Sequence, residues 1–351
     1  MENVNLKATQ NKCPRWKEIF VELSNELETG NFNGGEHFYS LKEICKKHQV
    51  SMITAKRVTS ELQEANLVRK YPCKGTFVFK DSYTLQINLF IDTDTDVPKD
   101  YIKLQIFGGI KEVVQETHSK LAIITKPSFL NNRKSSFNII FEEALVNVPI
   151  SYNKGTYVVV HSYEPKENAS SVGIDYKKGV SMAMKHLFSL GHRRIGLFAG
   201  QLAAPWMIPR FEGYLKELRN KKIKLDMKLV KETDGINPEK DWLAMKQLMA
   251  LKDPPTAIFA SNDSRALHIL DYCRNNRIKV PEQLSIVGFD NIPESGLSNP
   301  GLTTIDTRLL EIGRKSVFLL MDLINKRGKH KNVLVKPKFI IRKTTASLRK
   351  K

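Results

Sequence analysis

The sequence predicts an α/β protein with two parts: an N-terminal winged helix-turn-helix, and a larger two-lobed domain of parallel sheets flanked by helices. Before position 70, three segments carry apolar residues at helical spacing and are bounded by capping or turn residues. From residue 85 onward, apolar runs of four to seven residues alternate with helical segments, as in buried parallel strands. Residues 85–351 are also more than one such sheet needs, which favours two lobes.

The first three predicted helices have recognisable starts or ends. Apolar residues recur at helical spacing over residues 16–27, and Gly30 ends that run. Ser40 and Glu43 are predicted to form a capping box. The Ser40 hydroxyl accepts from the backbone amide of Glu43, and the Glu43 carboxylate accepts from the backbone amide of Ser40. Ser51 is placed to cap a third helix. Two short helices joined by a tight turn therefore predict a helix-turn-helix.

The third helix is predicted to have an apolar face and a basic face. Ala55, Val58 and Leu62 share one side at helical spacing, whereas Lys56 and Arg57 fall on the other. Cations in this position can reach guanine acceptors or phosphates in a DNA major groove. A solvated charged helix is the alternative.

A hairpin is predicted to follow this helix. Residues 67–71 and 76–79 have strand composition and flank a turn at residues 72–75. Gly75 allows a sharp turn and close approach of the backbone to another surface, and Lys74 places a cation at the tip. The hairpin is therefore interpreted as a wing, with an ordinary surface hairpin as the alternative.

Residues 14–79 resemble the winged-helix domain of GntR-type bacterial transcription regulators. The matching stretches are GGEHFYS, SLKEIC, VSMITAKRVTSEL and LVRKYPCKGTFV, in order, although lysine stands at position 56 where the family usually has arginine. The resemblance implies a DNA-binding domain at residues 1–80, followed by a linker at 81–84. It also implies these DNA-contacting residues: Ser40, Lys42, Ser51, Thr54, Lys56, Arg57, Lys74 and Gly75.

The second part, residues 85–351, is predicted as alternating strands and helices. Strands are expected at 85–91, 121–125, 157–161, 194–199, 257–260 and 284–289. Helices are expected near 101–118, 177–190, 210–220, 239–250 and 264–276. Near the C-terminus, VLVKPKFIIR has the alternation of one closing strand.

Polar side chains follow several of these strands, at the edge where ligands bind in parallel sheets. Asn262 and Asp290 come just after strands, Asp175 follows the short segment SVGI, and Arg210 begins a helix. Carboxylate, amide and guanidinium groups together suit hydrogen bonding to sugar hydroxyls, and Trp206 can stack on a sugar ring. Helix capping is the alternative for the aspartates and the asparagine, and packing is the alternative for Trp206.

Most of residues 160–325 resembles the effector domain of the LacI/GalR family, which has a periplasmic-binding-protein-like fold. The stretches SVGIDYKKGVSMAMKHLFSLGHRRIGLFAG, PRFEGYLKEL, AIFASNDSRALHILDYCRNNRIKVPEQLSIVGFDNIP and PGLTTIDTRLLEIGRKSVFLLMDLI carry the match. The resemblance implies that Asp175, Arg210, Asn262 and Asp290 contact an effector. Segment 126–156 departs from the family and is too short for its usual strand and helices. A GntR-type head on a LacI-type body resembles AraR-type arabinose repressors.

Composition limits the possible partners. The 351 residues are 41% hydrophobic and 26% charged, no apolar run reaches the ~20 residues of a membrane span, and the N-terminus lacks an export signal. Four cysteines show no metal-ligand spacing. These features predict a cytoplasmic protein with no metal, cofactor or membrane partner. The net charge is +19, but residues 326–351 contain 11 lysines and arginines and no acidic residue, so bulk charge does not locate a DNA site.

The sequence thus predicts a homodimeric repressor that binds a palindromic operator and responds to a sugar held between its lobes. A sugar-active enzyme and a cytoplasmic sugar-binding protein on the same fold are the alternatives. The chain contains no GxSxG or GxxxxGK[ST] motif, which disfavours the enzyme.

Overall fold

A computed structural model describes residues 14–29, 32, 36–65, 67–71, 75–79, 86–91, 100–117, 119–125, 137–147, 156–167, 169–324 and 330–348. Its N-terminal part contains three helices and an antiparallel hairpin, in the predicted order. They are α1 (Arg15–Glu28), α2 (Leu41–His48), α3 (Met52–Glu64), β1 (Val68–Tyr71) and β2 (Gly75–Val78). The predicted helix end at Gly30, the wing tip with Lys74, and the linker at 81–84 lie outside the described residues.

The small core of this part confirms the predicted apolar face of α3. Ala55, Val58 and Leu62 are fully buried and pack with apolar residues of α1 and α2. The capping box is also present, because the Glu43 amide donates to the Ser40 hydroxyl at 3.3 Å and the Ser40 amide donates to the Glu43 carboxylate at 2.7 Å. Local capping therefore sets where α2 begins, and burial of one face orients α3.

The larger part is built on two parallel sheets. The first has the strand order β13-β7-β6-β5-β3-β4 and contains β3 (Gln86–Phe90), β4 (Lys120–Ile124), β5 (Phe137–Phe141), β6 (Thr156–Ser162), β7 (Ser170–Ile174) and β13 (Asn332–Val335). The second has the order β11-β10-β8-β9 and contains β8 (Ile195–Ala199), β9 (Val230–Glu232), β10 (Ala257–Ala260) and β11 (Ser285–Val287). A short antiparallel pair joins β12 (Thr304–Asp306) to β14 (Lys338–Ile340).

Helices cover these sheets and define two lobes. They are α4 (Tyr101–Glu116), α5 (Tyr176–Ser189), α6 (Ile208–Asn220), α7 (Pro238–Met249), α8 (Asp263–Asn275), α9 (Pro293–Leu297) and α10 (Leu309–Ile324). The first lobe comprises the six-stranded sheet with α4 and α10, and the second comprises the four-stranded sheet with α5 to α9. Within the described residues, the chain crosses between lobes after β7, after β12 and after β13. This is the predicted two-lobed α/β architecture.

Two predictions about strands were wrong. Segment 126–156, in which no strand was assigned, contributes β5 to the middle of the first sheet and then a 3-10 helix, Glu142–Asn147. The C-terminal stretch predicted as one closing strand forms two, because β13 joins the first lobe while β14 pairs beside the second. Pro337 separates them, and a proline cannot donate to a continuing ladder.

Helices α4 and α10 approach each other at two glycines. A Cβ at Gly109 would collide with the backbone carbonyl of Leu310, and one at Gly313 would collide with that of Ile106. The backbones are therefore in direct contact, and neither helix can move without the other.

We expect Gly109→Ala to lower the free energy of unfolding by about 1–3 kcal/mol or more. The new methyl group would collide with the backbone carbonyl of Leu310, which cannot rotate away as a side chain can. Gly108→Ala is the matched control: its Cβ would meet only the Leu310 side chain, at 3.2 Å, and alanine favours the helix. Urea unfolding followed by circular dichroism would compare the two. Equal stabilities would contradict the close packing.

The hairpin contacts the first lobe at the C-terminal end of α4 and the middle of α10. The ring of Tyr71 packs edge-on against Phe318 at 5.3 Å between centroids, and Phe77 lies 6.4 Å from the same ring. Arg69 donates to the carbonyl of Glu116. Burial raises the pKa of Tyr71 to about 12. The N-terminal part is thus attached to α4 and α10 through the two strands of its hairpin.

Candidate functional site

The two sheets each reverse their direction of winding next to one strand. In the first lobe β4 and β5 lie on opposite sides of β3, and in the second lobe β9 and β10 lie on opposite sides of β8. Ligands bind outside the carboxyl ends of strands at such switch points. Both switch points face a cavity of about 350 Å³ between the lobes.

The cavity lining is rich in charged, hydrogen-bonding and aromatic side chains. The first lobe contributes Asp100, Lys103, Glu143, His161 and Tyr163, among others. The second lobe contributes Tyr176, Trp206, Arg210, Asn262, Arg265 and Asp290, among others. Four of the five predicted effector residues are thus brought together: Trp206, Arg210, Asn262 and Asp290.

Arg210 and Asp290 lie together at the centre of the second-lobe wall. Their Nη2 and Oδ1 atoms are 3.9 Å apart, and both side chains are less than a tenth exposed. The Arg210 guanidinium lies 4.2 Å from the centre of the Tyr176 ring and donates to the carbonyl of Trp206 at 2.6 Å. Its Nε is buried and has no hydrogen-bond partner among the described residues. A buried donor without a partner is costly, and a ligand oxygen would satisfy it.

Asp290 occupies an unusual backbone position after β11, with φ of 110°. Burial raises the pKa of its carboxyl to about 8, although Arg210 acts to lower it. The neighbouring carboxylate of Asp263 contributes to the rise.

Asp290 should therefore make the stability of the empty protein depend on pH. A folded-state pKa raised above its unfolded value gives stability that is complete below about pH 4 and is lost as pH rises toward 8. We expect Asp290→Asn, which cannot ionise, to gain stability relative to the wild type by at least about 1 kcal/mol between pH 5 and 8. Urea unfolding at several pH values would measure this difference. A difference that stayed flat or fell would contradict the shift.

Asn262 has two roles in this arrangement. Its side chain accepts from the amide of Arg265 at 3.0 Å and so caps α8, and it also lines the cavity. Arg265 donates to Thr233 through Nε at 3.1 Å and through Nη2 at 2.6 Å. The helix cap thus fixes the asparagine at the edge of the cavity.

Asp175 is the predicted effector residue that is placed differently. Asp175 accepts from the amide of Lys178 at 2.9 Å, capping α5, and within the described residues it is not part of the cavity lining. Its neighbour Tyr176 lines the cavity instead. Trp206 is 46% exposed and stands at 6.3 Å from the Tyr163 ring, so its indole is accessible from the cavity.

Sequence reasoning missed the first-lobe residues Glu143, His161 and Tyr163. Glu143 follows β5, the strand that was not predicted. His161 lies within the predicted strand YVVVH, close to its carboxyl end, so its position was a usable signal.

The predicted DNA-contacting residues lie mainly on the exposed side of α2 and α3. Lys42 and Lys56 are exposed, and Ser51 caps α3 by accepting from the amide of Thr54 at 3.3 Å. Arg57 is exposed but lies over the Trp16 ring at 4.1 Å, with its Nε 3.8 Å from the Glu61 carboxylate. Lys56 is therefore held by fewer local contacts than Arg57. Ser40 belongs to the capping box, and Gly75 has φ of 108°.

Other features of the described residues bear on alternative functions. They contain no group of three or more histidine, cysteine, aspartate or glutamate side chains that could hold a metal ion. No helix in this part of the chain has both the length and the apolar character required to cross a bilayer.

Comparison with known proteins identifies the larger part. The family model for the periplasmic binding protein-like domain matches residues 184–345. The HTH-type transcriptional repressor CytR of Escherichia coli (strain K12) is 32% identical over 240 residues, covering 64% of this chain and 69% of the relative. The repressor PurR of Haemophilus influenzae (strain PittEE) is 31% identical over 195 residues, covering 54% and 58%.

Solved structures share the fold. A complex of the transcriptional regulator CelR with cellobiose has a TM-score of 0.65 at 21% identity, covering 84% of this chain and 92% of that one. The lac repressor dimer bound to operator and the anti-inducer ONPF also has a TM-score of 0.65, at 22% identity, covering 76% and 96%. The relatives are repressors and not enzymes. The chain therefore belongs to the LacI family of transcriptional repressors.

Proposed function

We propose that this protein is a cytoplasmic bacterial repressor of carbohydrate utilisation genes, whose operator affinity is set by a small sugar bound between its lobes. The observation that carries the proposal is the buried Arg210–Asp290 pair, with an unpartnered guanidinium Nε, in the interlobe cavity. A sugar hydroxyl can accept from Arg210 and donate to Asp290 at the same time. The aromatic rings beside this pair suit the apolar face of a sugar.

The DNA-binding half of the proposal rests on the N-terminal part. Residues 1–80 are proposed as a winged helix-turn-helix domain of GntR type, separated by a linker at 81–84 from an effector domain at 85–351. Helix α3 would enter the major groove with Lys56 toward the bases, and the wing would follow the phosphate backbone. One such domain makes few contacts, so a homodimer on a palindromic operator is proposed, paired through the effector domains.

The two halves would be coupled through α4 and α10. Asp100 and Lys103, at the start of α4, line the cavity, whereas Glu116 at its end accepts from Arg69 of the wing. The 16-residue helix spans about 24 Å at ~1.5 Å per residue. Closure of the lobes on a sugar would move this rigid pair of helices and change the position of the wing. A ligand shifts the equilibrium between the open and closed lobe arrangements only if its affinities for the two arrangements differ.

Two measurements on the full-length protein test this function. Thermal-shift screening against neutral mono- and disaccharides should identify a ligand, because binding to the folded state alone raises the melting temperature. Selection from random duplex DNA should recover an operator, whose affinity is then measured with and without that sugar. Recovery of no preferred DNA sequence would exclude the repressor. A sugar that bound without changing operator affinity would exclude the switch.

Lys56→Ala is expected to weaken operator binding by about 1–3 kcal/mol, as loss of a base-edge contact does. Binding to scrambled DNA should change less, because phosphate contacts dominate it. Gel shifts at several salt concentrations would measure both. Lys216→Ala, which removes an exposed lysine from α6 in the second lobe, is the charge-matched control. Equal affinity of the two variants for operator would place the reading surface elsewhere.

A further inference from the structure

The first turn of α3 exposes large apolar side chains to solvent. Ile53 is 80% exposed, and its neighbour Met52 is 41% exposed. On the opposite face of the same helix, Ala55, Val58 and Leu62 are fully buried. The DNA-contacting residues predicted from the sequence are all polar, apart from one glycine, so they give no role to this isoleucine.

Ile53 shares its exposed helix face with two cations. Residues three and four apart are neighbours on a helix surface, so Lys56 and Arg57, both exposed, follow Ile53 along one face. The first turn of α3 contains no acidic residue. An apolar side chain bordered by cations suits a negatively charged surface that also carries apolar groups. The major groove of DNA is such a surface, because thymine methyl groups lie in it between two rows of phosphates.

The turn that carries Ile53 is fixed before any partner binds. Ser51 accepts from the amide of Thr54 at 3.3 Å, and the hydroxyls of these two residues lie 3.1 Å apart. A β-branched side chain in a helix has one strongly preferred χ1 rotamer, so the methyl groups of Ile53 need no further contact to hold their position. Packing Ile53 against another surface therefore costs little conformational entropy.

The place of Ile53 in α3 decides which part of the DNA it would meet. The N-terminal residues of a recognition helix contact base edges, whereas its flanks contact the backbone. Lysine and arginine donate hydrogen bonds and so read acceptors, but only an apolar contact can read the C5-methyl group of thymine. Ile53 is the more exposed of the two apolar side chains in this first turn.

We propose that Ile53 packs against the C5-methyl group of a thymine in each operator half-site, and so makes a T·A base pair part of the sequence that the protein recognises. Lys56 binds acceptors of nearby bases in the same groove. This inference rests on the proposed function, since it concerns the base preference of the helix proposed to bind DNA.

Replacing thymine by uracil tests the contact, because uracil lacks the methyl group and keeps the hydrogen-bonding groups. Once an operator has been selected from random duplex DNA, each of its thymines is replaced in turn, and gel shifts with the full-length protein measure affinity. We expect at least one replacement to weaken wild-type binding by about fourfold, as loss of one buried methyl group does. In Ile53→Ala the same replacement should change affinity by less than about twofold, because the partner of the methyl group is already absent.

Two further variants serve as controls. Ile53→Val keeps a branched apolar side chain and should still prefer thymine to uracil. Ile236→Ala removes an isoleucine that is 84% exposed between β9 and α7 in the second lobe, and it should bind both DNAs as the wild type does. Ile53→Ala itself should fold normally, because the side chain is exposed and alanine favours a helix.

The outcomes distinguish this inference from the proposed function. A selected operator in which no uracil replacement weakens wild-type binding would overturn the role of Ile53 and leave the repressor in place. The same conclusion would follow if the replacement weakened binding by Ile53→Ala as much as binding by the wild type. Selection of no preferred DNA sequence would overturn the proposed repressor, and this inference with it.

Discussion

Asp290→Asn is expected to produce a repressor that remains on its operator in the presence of sugar. Asp290 lies 3.9 Å from Arg210 inside the cavity, and its carboxyl group is the hydrogen-bonding partner that a bound hydroxyl would use. Asparagine places an NH2 donor where one carboxyl oxygen was, and a buried hydrogen bond lost in this way costs about 1–3 kcal/mol, so sugar affinity should fall by roughly 5- to 150-fold. Asparagine is preferred to alanine because Asp290 has φ of 110°, a conformation that asparagine adopts more readily than alanine.

Calorimetry for sugar binding and gel shifts for operator binding would separate the two activities. Operator affinity without sugar should match that of the wild type. Asp290 lines the interlobe cavity and does not belong to the N-terminal part that is proposed to bind DNA. Asp175→Asn is the matched control, because asparagine also caps helices and Asp175 is outside the cavity lining described here. Sugar binding by Asp290→Asn equal to that of Asp175→Asn would mean that the effector binds elsewhere.

Phe318→Ala is expected to uncouple the two halves of the molecule. The Phe318 ring packs against Tyr71 and Phe77, so its removal takes away the apolar contact between the hairpin and α10. Coupling free energies between sites are typically about 1–3 kcal/mol, which corresponds to a 5- to 150-fold effect of sugar on operator affinity. In Phe318→Ala most of the effect of sugar on operator affinity should disappear. The affinity of the interlobe cavity for the sugar should remain unchanged.

Operator affinity measured with and without saturating sugar gives the coupling directly. Leu310→Ala truncates a partly exposed apolar residue about two turns away on the same helix and controls for general weakening of α10. It should respond to sugar as the wild type does. If Phe318→Ala responded equally well, the contact between the hairpin and α10 would not be the route of transmission.

Much of the local structure could be predicted because its causes are local. The capping box at Ser40 and Glu43, the buried stripe of α3 and the alternation of strands with helices depend on residues close in sequence. The same holds for Asn262 and Asp290, because residues that follow parallel strands lie at the binding edge of a sheet. The family stretches in residues 160–325 added the fold of the body.

Other features depend on contacts between distant parts of the chain. Strand β5 was missed because nothing in FNIIF alone shows that β3 and β6 would lie on either side of it. Because β5 was not predicted, Glu143 could not be placed at the end of a strand. In the structure it is hydrogen-bonded to His161 at the end of the neighbouring strand β6. The single predicted closing strand is two strands because its first half pairs with β7 in the first lobe and its second half pairs with β12 beside the second lobe.

The sequence by itself determined the helix starts, the apolar faces, the class of fold and four second-lobe residues of the cavity lining: Trp206, Arg210, Asn262 and Asp290. Only the tertiary structure decided that Tyr176, and not Asp175, lines the cavity, since one residue along the start of a helix turns the side chain by about 100°. It also decided that Glu143 and Arg210, contributed by different lobes, lie in one cavity. The physical reason is that a hydrogen bond across lobes depends on packing between segments far apart in the chain, which no local pattern of residues records.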